Sequence, residues 1–341
     1  MNVSMASLAE RAAWTAPRER LDVLRPHAFL VEPELSAHGK LVQVATIFLT
    51  NRECPWRCVY CDLWKNTTIE TVPRGAIPAQ IDFALAQLWR DEFRESPSDE
   101  LGTRGTRPSS ARQIKLYNAG SFFDPKAVPP EDFPAIAEQV RTFERVIVEC
   151  HPALVGQSAL RWQQLIRPSQ LEVAMGLEIA RDSILEKLNK RMTLESFRRA
   201  ARFLEANGIG LRVFVILKPP HVLTEEEALD FGKRSIEFAF DCGASVVTVI
   251  PARGGSAELA ELASQGLFSA PLLSSLEAVV DHGVSLRHGR VFADLWDVAQ
   301  LAACPHCSLA RISRLRETNL TQVILPRIDC RACREQTQCH V

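Results

Sequence analysis

Three cysteines occupy one short stretch of the sequence. Cys54, Cys58 and Cys61 form a C-x3-C-x2-C pattern directly after an apolar run that predicts a buried strand at 41–50. Three thiolates in a compact loop are typical of an iron–sulfur cluster, which cysteines hold through its iron atoms. Structural zinc sites take four protein ligands, so the alternative is a zinc knuckle that borrows a distant fourth ligand. With three ligands, a cubane cluster keeps one iron open for a substrate or cofactor.

Four more cysteines near the end of the sequence stand in two pairs. Cys304 and Cys307 form one C-x2-C motif, and Cys330 and Cys333 form another after an interval of 22 residues. Paired motifs of this kind are typical of tetrathiolate zinc sites. Cys339 makes the number of cysteines in this region odd. We therefore predict a second metal site that holds either Zn²⁺ or a second iron–sulfur cluster, and the spacing leaves that choice open.

Length, charge and hydropathy narrow the class of protein. The 341 residues exceed the roughly 250 of a typical (β/α) barrel, which leaves room for extensions at both ends. The formal net charge is −1, so bulk charge gives no reason to expect nucleic-acid binding. The sequence contains no apolar run of about 18 residues and no signal-peptide pattern, so we expect no membrane partner and a cytoplasmic location. In that reducing compartment, cysteines act as ligands more often than they form disulfides.

Strands and helices alternate along the middle of the chain. Six apolar segments predict buried strands, and they lie at 41–50, 113–119, 145–150, 171–178, 209–217 and 245–250. This alternation predicts a parallel α/β sheet. No G-x-G-x-x-G follows the first strand, which disfavours a dinucleotide-binding fold. In α/β barrels the reactive groups lie on loops at the carboxyl ends of the strands, and the first cysteine group falls on such a loop.

The same pattern divides the chain into three predicted regions. Residues 1–40 form an N-terminal extension, 41–252 form the α/β core, and 253–341 form a C-terminal region that ends in the Cys-rich tail. Thr224 followed three residues later by Glu227 predicts a capping box at the start of a long helix.

The first cysteine group, with Tyr60 directly before its third cysteine, resembles the radical S-adenosylmethionine (SAM) signature. The resemblance implies a partial (β/α)6 TIM-like barrel over residues 41–252. It also implies that the open iron of a [4Fe–4S] cluster chelates SAM, with Tyr60 in the cofactor site. An electron, supplied by a donor such as flavodoxin or ferredoxin, would then release a 5′-deoxyadenosyl radical that abstracts a hydrogen atom from the substrate.

The resemblance extends to residues at the ends of the next strands. Gly120 and Ser121 stand where radical SAM proteins carry a Gly-rich stretch that meets the SAM amino group, although the acidic residue often found there is absent. Glu149 and Glu178 end the third and fourth strands, where a carboxylate accepts hydrogen bonds from a ribose or binds a substrate amine. Arg191 is the predicted partner of the SAM carboxylate, because its planar guanidinium suits a carboxylate. The alternative for Gly120 and Ser121 is an ordinary strand-to-helix turn. For Glu149 and Glu178 it is a surface ion pair each, and for Arg191 it is a place on a solvated helix.

Four longer stretches resemble one branch of this superfamily. They are LTNRECPWRCVYCDLWKNT, YNAGSFFDP, GLEIARDSILEKLNKRMT and ILKPPHVLTEEEA. Together they resemble archaeosine-synthase-type radical SAM proteins, within the elongator and methylthiotransferase-like branch, which implies modification of a transfer RNA nucleoside. The tail carries six Arg against three acidic residues, which indicates either contact with tRNA phosphates or a solvated face.

Two alternatives to a tRNA-modifying enzyme remain from the sequence. The C-x2-C-x5-C pattern of Cys330, Cys333 and Cys339 resembles part of an auxiliary-cluster motif, which implies modification of a peptide or small molecule. A metal-binding regulatory module on a barrel scaffold is the alternative that is not an enzyme.

Overall fold

The predicted strands form neighbouring strands of one sheet. In a computed structural model of the protein, residues 21–95, 111–254 and 256–338 are described. Eight strands lie side by side in sequence order. They are β1 (Ala28–Leu35), β2 (Leu41–Leu49), β3 (Ala111–Asn118), β4 (Arg145–Glu149), β5 (Gln170–Glu178), β6 (Gly210–Leu217), β7 (Val246–Pro251) and β8 (Arg290–Ala293). Strands β2 to β8 run parallel, whereas β1 pairs antiparallel with β2.

Helices follow most of the parallel strands and cover the outside of the sheet. They are α1 (Ala76–Glu95), α2 (Phe133–Val140), α3 (Gln157–Leu165), α4 (Asp182–Lys187), α5 (Leu194–Ala206), α6 (Glu225–Asp241), α7 (Ala257–Ser264), α8 (Leu273–Leu286), α9 (Ser308–Thr321) and α10 (Arg331–Gln338). The predicted capping box of α6 is confirmed, because the Thr224 side chain accepts from the Glu227 N–H and the Glu227 carboxylate accepts in return. Across the described ranges, no helix has the length and apolar character needed to cross a membrane.

The predicted partial (β/α)6 barrel is confirmed in β2–β7, and the sheet extends it by one strand on each side. Strand β1 lies within the predicted N-terminal extension, and β8 lies within the predicted C-terminal region. Pro33 and two glutamates interrupt the apolar pattern of β1, which suits an edge strand because proline donates no backbone hydrogen bond. Strand β8 has only four residues, too few for a periodic pattern.

Four buried charged side chains form an ion layer inside the barrel, toward the amino ends of the parallel strands: Glu34, Lys115, Glu172 and Arg212. Arg212 on β6 bonds Glu34 on β1 (Nη2–Oε1 2.6 Å) and Glu172 on β5 (Nε–Oε1 2.7 Å). Lys115 on β3 reaches the second oxygen of Glu34 at 2.7 Å. Burial alone would raise the pKa of Glu34, but Arg212 and Lys115 hold it well below its usual value. Because β1 and β6 are not neighbours in the sheet, the sheet must be curled for these groups to meet.

Three aromatic rings lie above the ion layer, nearer the carboxyl ends of the strands. Tyr117 packs edge-on against Phe48 at 6.2 Å and against Phe214 at 5.9 Å between ring centroids. All three rings are half-buried. Burial raises the pKa of Tyr117 to about 12, so its phenol stays protonated at neutral pH. The rings therefore form the floor of the space into which the strand-end loops project.

Helix α9 covers the seam between the two edge strands of the curled sheet, since it packs on both β1 and β8. Two side-chain amides at its end bond the outer backbone of β8. Asn319 accepts from the Ala293 N–H and donates to the Ala293 carbonyl, both at 2.8 Å. Gln322 does the same for Val291, at 2.6 and 2.9 Å. We call these four bonds the amide ladder, and they occupy backbone groups that an edge strand otherwise exposes.

Candidate functional site

The three N-terminal cysteines lie on a loop after the carboxyl end of β2, which we call the cluster loop (residues 54–61). All three thiols are free and half-buried. Burial raises the pKa of Cys58 to about 11 and raises that of Cys61 further. The charge of Cys54 adds to the rise at Cys58, and the charges of Cys58 and Cys54 add to the rise at Cys61, so the three thiols lie close to one another. Three thiols that meet on one loop can bind three irons of a cluster.

A turn at 188–191, here the Asn189 turn, packs against the cluster loop. The side-chain amide of Asn189 donates to the carbonyl oxygens of Trp56 and Arg57, both at 3.0 Å. The Cys58 sulfur lies 3.9 Å from the Asn189 carbonyl. Asn189 has a φ of 55°, a left-handed conformation that asparagine adopts more readily than most residues. Sequence analysis missed Asn189, because no local pattern shows that this turn meets a loop about 130 residues away.

A buried ion pair stands beside the thiols. The Lys190 ammonium bonds the Glu178 carboxylate at the end of β5, and both side chains are buried. Burial alone would lower the pKa of Lys190, but Glu178 and the neighbouring Cys58 raise it, so the side chain stays charged. The Tyr60 phenol bonds Glu178, and burial and this carboxylate raise its pKa well above the usual value. A Cβ at Gly176 would clash with the Glu178 carboxylate and the Lys190 ammonium, so a larger residue there would displace this ion pair.

The two adjacent basic residues of the Asn189 turn point in different directions. Arg191 is exposed, and its Nε bonds Asn189 Oδ1 at 3.2 Å. Its neighbour Lys190 is the cation that faces the thiols. The sequence does not show which of two adjacent basic residues points inward, because their directions depend on the left-handed conformation of this turn.

The predicted Gly-rich turn after β3 does lie against the cluster loop. A Cβ at Gly120, whose φ is 142°, would come within 3.3 Å of the Cys54 Cβ, so this close approach needs glycine. Ser121 is buried, and its hydroxyl accepts the backbone N–H of His151 at 2.8 Å. Gly120 therefore borders the thiols, whereas Ser121 is engaged with the end of β4.

Glu149 ends β4 beside two polar atoms that lack partners. Its Oε2 accepts the Asn118 N–H at 3.0 Å, and burial raises its pKa to about 8. The side-chain oxygen and nitrogen of Asn118 are both buried, and neither has a hydrogen-bond partner among the described residues. Buried polar groups are rarely left unbonded, so these atoms indicate a place for a polar ligand.

Replacing Glu149 with glutamine will remove a pH dependence of stability. The pKa of this carboxyl is about 8 in the folded protein, against 4.5 ordinarily, so the folded state alone keeps the proton between those values. The free energy of unfolding of the native chain will therefore fall, relative to the variant, as pH rises through that window, and level off above it. Urea denaturation of cluster-free protein at about pH 5 and about pH 8.5 measures the difference. Equal differences at both pH values would contradict the assignment.

The tail cysteines converge on one point. The sulfurs of Cys304, Cys307, Cys330 and Cys333 all lie within 4.8 Å of one another. Cys304 and Cys330 are 3.9 Å apart, and Cys307 and Cys333 are 3.6 Å apart. Backbone N–H groups of residues 306 and 307 donate to the Cys304 sulfur and lower the pKa of this thiol to about 6. These distances match the roughly 3.8 Å edge of a tetrahedral zinc site. Cys339 lies outside the described residues.

Arginines in the tail anchor it to the barrel. Arg311 bonds Glu277 on α8 at 2.6 Å, and Arg314 bonds Asp281 on the same helix at 2.9 Å. Arg327 lies 3.6 Å from the same aspartate. Arg314 also donates to backbone carbonyl oxygens of the segment after α9. These arginines hold the metal site in place, so they give little support for a phosphate-binding tail.

The chain has relatives of known sequence, although it matches no protein family model. It is 31% identical over 211 residues to archaeosine synthase subunit beta of Methanosarcina acetivorans, covering 59% of this chain and 56% of that protein. It is 28% identical over 128 residues to the same subunit of Thermococcus kodakarensis, covering 36% and 39%. The sequence resemblance to archaeosine-synthase-type proteins is thus confirmed.

Other similarities are broader. An uncharacterized protein of Methanocaldococcus jannaschii is 23% identical over 243 residues, which is 69% of this chain and 62% of that protein. The chain therefore spans less than two thirds of each of these relatives. Among solved structures, Elp3 of Methanocaldococcus infernus has a TM-score of 0.48 at 14% identity, covering 71% of this chain and 59% of that one. Coproporphyrinogen III oxidase of Escherichia coli, a radical SAM enzyme, has a TM-score of 0.44 at 10% identity, covering 71% and 52%. TM-scores this low carry no conclusion by themselves.

Proposed function

We propose that this protein is a radical SAM enzyme that binds a [4Fe–4S] cluster through Cys54, Cys58 and Cys61. The observation that carries the proposal is the meeting of these three free thiols on one loop at the carboxyl end of β2. A buried cation stands beside them, and unbonded buried polar atoms lie at the end of the next strand. The archaeosine synthase relatives support the same class.

The residues around the thiols have separate roles in this proposal. When bound, the cluster supplies an electron and an open iron, and SAM supplies the 5′-deoxyadenosyl radical. The Lys190 ammonium offsets the negative charge of the thiolates and presents a cation to the SAM carboxylate. The Glu178 carboxylate orients that ammonium, and the Tyr60 phenol donates a hydrogen bond to the Glu178 carboxylate. Arg191, exposed at the rim, stays a predicted contact of the SAM carboxylate.

The predicted contacts at the next strand ends complete the cofactor site. Gly120 leaves room for the SAM amino group beside Cys54. Glu149 lies beside the side-chain amide of Asn118. The oxygen of this amide accepts a hydrogen bond from a polar ligand, and its nitrogen donates one. The aromatic floor closes the space below and excludes water from the reacting atoms.

Anaerobic reconstitution tests the enzyme class. The full chain, supplied with iron, sulfide and reductant, is expected to turn brown, to bind about four irons through the cluster loop, and to convert SAM to 5′-deoxyadenosine and methionine. A colourless preparation without iron would refute the proposal. Iron binding without 5′-deoxyadenosine would instead favour the metal-binding regulatory module.

We infer that the substrate is a transfer RNA nucleoside. The support is the similarity to archaeosine synthase subunit beta, together with the four matching stretches of sequence. Comparing the nucleosides of tRNA from a deletion strain and its parent tests the substrate class. One nucleoside altered in the deletion strain is the expected result. An unchanged profile would refute the tRNA proposal and favour a peptide or small molecule.

We also propose that the tail binds one Zn²⁺ rather than a second cluster. The support is the separation of the paired sulfurs, 3.9 and 3.6 Å, since four thiolates this close fit around one ion. Arg311 bonds Glu277 and lies beside Cys307, so it offsets part of the negative charge of the tetrathiolate. In this proposal Cys330 and Cys333 bind the ion together with Cys304 and Cys307, so they are not available as ligands of an auxiliary cluster.

Replacing Cys330 with serine will remove zinc and leave iron unchanged. The native chain is expected to hold about four irons and one zinc, whereas the variant keeps the iron and loses the zinc. Anaerobic metal analysis of both proteins checks this. The Cys242→Ser variant is the matched control, because Cys242 belongs to neither group, and it will keep both metals. About eight irons in the native chain, falling to four in Cys330→Ser, would show a second cluster.

A further inference from the structure

His151 follows β4 and contacts the cluster loop at a residue that is not one of the three cysteines. Its ring stacks on that of Trp56, with centroids 4.1 Å apart and planes 17° apart. Trp56 lies between Cys54 and Cys58, so the stack holds the part of the loop that separates two ligands. The His151 side chain is buried.

The two ring nitrogens of His151 bond different parts of the chain. Nδ1 accepts the Ala153 N–H at 3.2 Å, which places the proton of the neutral ring on Nε2. Nε2 therefore donates to the Lys190 carbonyl, 3.1 Å away. The His151 backbone N–H donates to Ser121 Oγ at 2.8 Å. One residue thus joins the cluster loop, the Asn189 turn and the turn after β3.

The Asn189 turn needs such support. Asn189 and Arg191 both have positive φ, 55° and 52°, and arginine in this conformation is unfavourable without contacts that hold it. The carbonyl that His151 bonds belongs to Lys190, which lies between them. The same turn donates to the Trp56 carbonyl through Asn189, so Trp56 is held at its ring and at its backbone.

We propose that His151 is a positioning residue that clamps the cluster loop to the Asn189 turn, so that the three thiols are set in place before they receive iron. The proposal deepens the proposed function and rests on it for the identity of the group that the thiols bind. The clamp itself consists only of contacts within the protein, so it is testable in protein without a cluster.

Alkylation of the thiols measures the clamp directly. The full chain is purified in air, so that the cluster loop is free of iron, and treated with iodoacetamide; peptide mass spectrometry then follows each cysteine. In His151→Phe, which keeps a flat ring but loses both ring nitrogens, Cys54 and Cys58 are expected to react at least about fivefold faster, the factor for one lost hydrogen bond. Cys242, at the opposite end of the barrel, serves as the internal reference.

Two further variants separate positioning from general loosening. His151→Gln keeps an N–H donor on a side chain of similar reach and will return the rates to within about twofold of the native chain. His221→Phe is the control, because His221 also follows a strand, but its Nε2 has no hydrogen-bond partner among the described residues. This control will leave the rates at Cys54 and Cys58 unchanged.

The outcomes decide the proposal. Unchanged rates at Cys54 and Cys58 in His151→Phe, or an equal rise at Cys242, would overturn it. Iron release to a chelator from reconstituted protein gives a second measurement, and it will be faster in His151→Phe than in His221→Phe. A chain that binds no cluster but shows the alkylation difference would refute the proposed function and leave the clamp intact. A chain that binds a cluster but shows no difference in alkylation between His151→Phe and the native protein would support the proposed function and refute the clamp.

Discussion

Replacing Cys58 with alanine will reduce iron in the cluster loop from about four atoms per chain to background and abolish 5′-deoxyadenosine formation. The reason is the number of ligands. A cubane on three protein thiols leaves one iron open, and a chain with two thiols leaves two irons without protein ligands. The Cys58 sulfur also lies 3.9 Å from the Asn189 carbonyl oxygen, at the contact between the cluster loop and the Asn189 turn.

The measurement pairs anaerobic iron analysis with chromatography of the SAM products. Cys242→Ala is the control variant, since it removes a half-buried thiol outside the site. Zinc in the tail and the urea midpoint of the cluster-free chain will be the same in the native protein and in Cys58→Ala. A Cys58→Ala protein that keeps its iron and still forms 5′-deoxyadenosine would show that the cluster lies elsewhere.

Replacing Arg212 with methionine will lower the free energy of unfolding by about 3 kcal/mol. Arg212 is buried and bonds two buried carboxylates, Glu34 and Glu172. Methionine fills much of the space but leaves the carboxylates with fewer partners. Lys115 still bonds Glu34, and Arg145 still bonds Glu172 at 3.1 Å, which places the expected loss at the lower end of the range for a broken buried pair.

Urea denaturation of the cluster-free chain measures this loss. Arg202→Met is the matched control, because Arg202 pairs with Glu195 on the surface, where both side chains are more than 60% exposed. The control will change stability by less than about 1 kcal/mol. The loss in Arg212→Met will also shrink as pH falls below 4.5, the ordinary pKa of a glutamate, because the unfolded chain then binds a proton at Glu34 that the folded native chain, with its lowered pKa, does not bind. Equal losses in the two variants would contradict the role of the ion layer.

The sequence predicts the features of this protein that depend on local patterns. Continuous apolar runs mark the six buried strands, and the spacing of the cysteines marks both groups of thiols that the fold brings together. The capping box of α6 also follows from two residues three apart. These signals are strong because each depends on a few residues that are close in sequence and that proteins commonly use for one structural purpose.

Features that depend on distant contacts escape the sequence. Strand β1 carries charges because Glu34 points into the ion layer, so its pattern does not read as a buried strand. The inward position of Lys190 follows from a left-handed turn, and His151 gains its role only when three loops meet. The choice between one ion and a cluster in the tail likewise requires the distances between sulfurs, which spacing along the chain does not contain.

The amide ladder has a consequence for where this chain can be divided. Cutting at residue 252, the end of the predicted core, would remove β8 and α9 together and leave the outer backbone of β7 open to solvent. Cutting just before α9 would uncover Val291 and Ala293 instead. In either fragment a bare strand becomes a template on which a second chain can add, a common route to insoluble aggregates. Helix α9 and the two amides at its end therefore protect this edge of the sheet from pairing with a second chain.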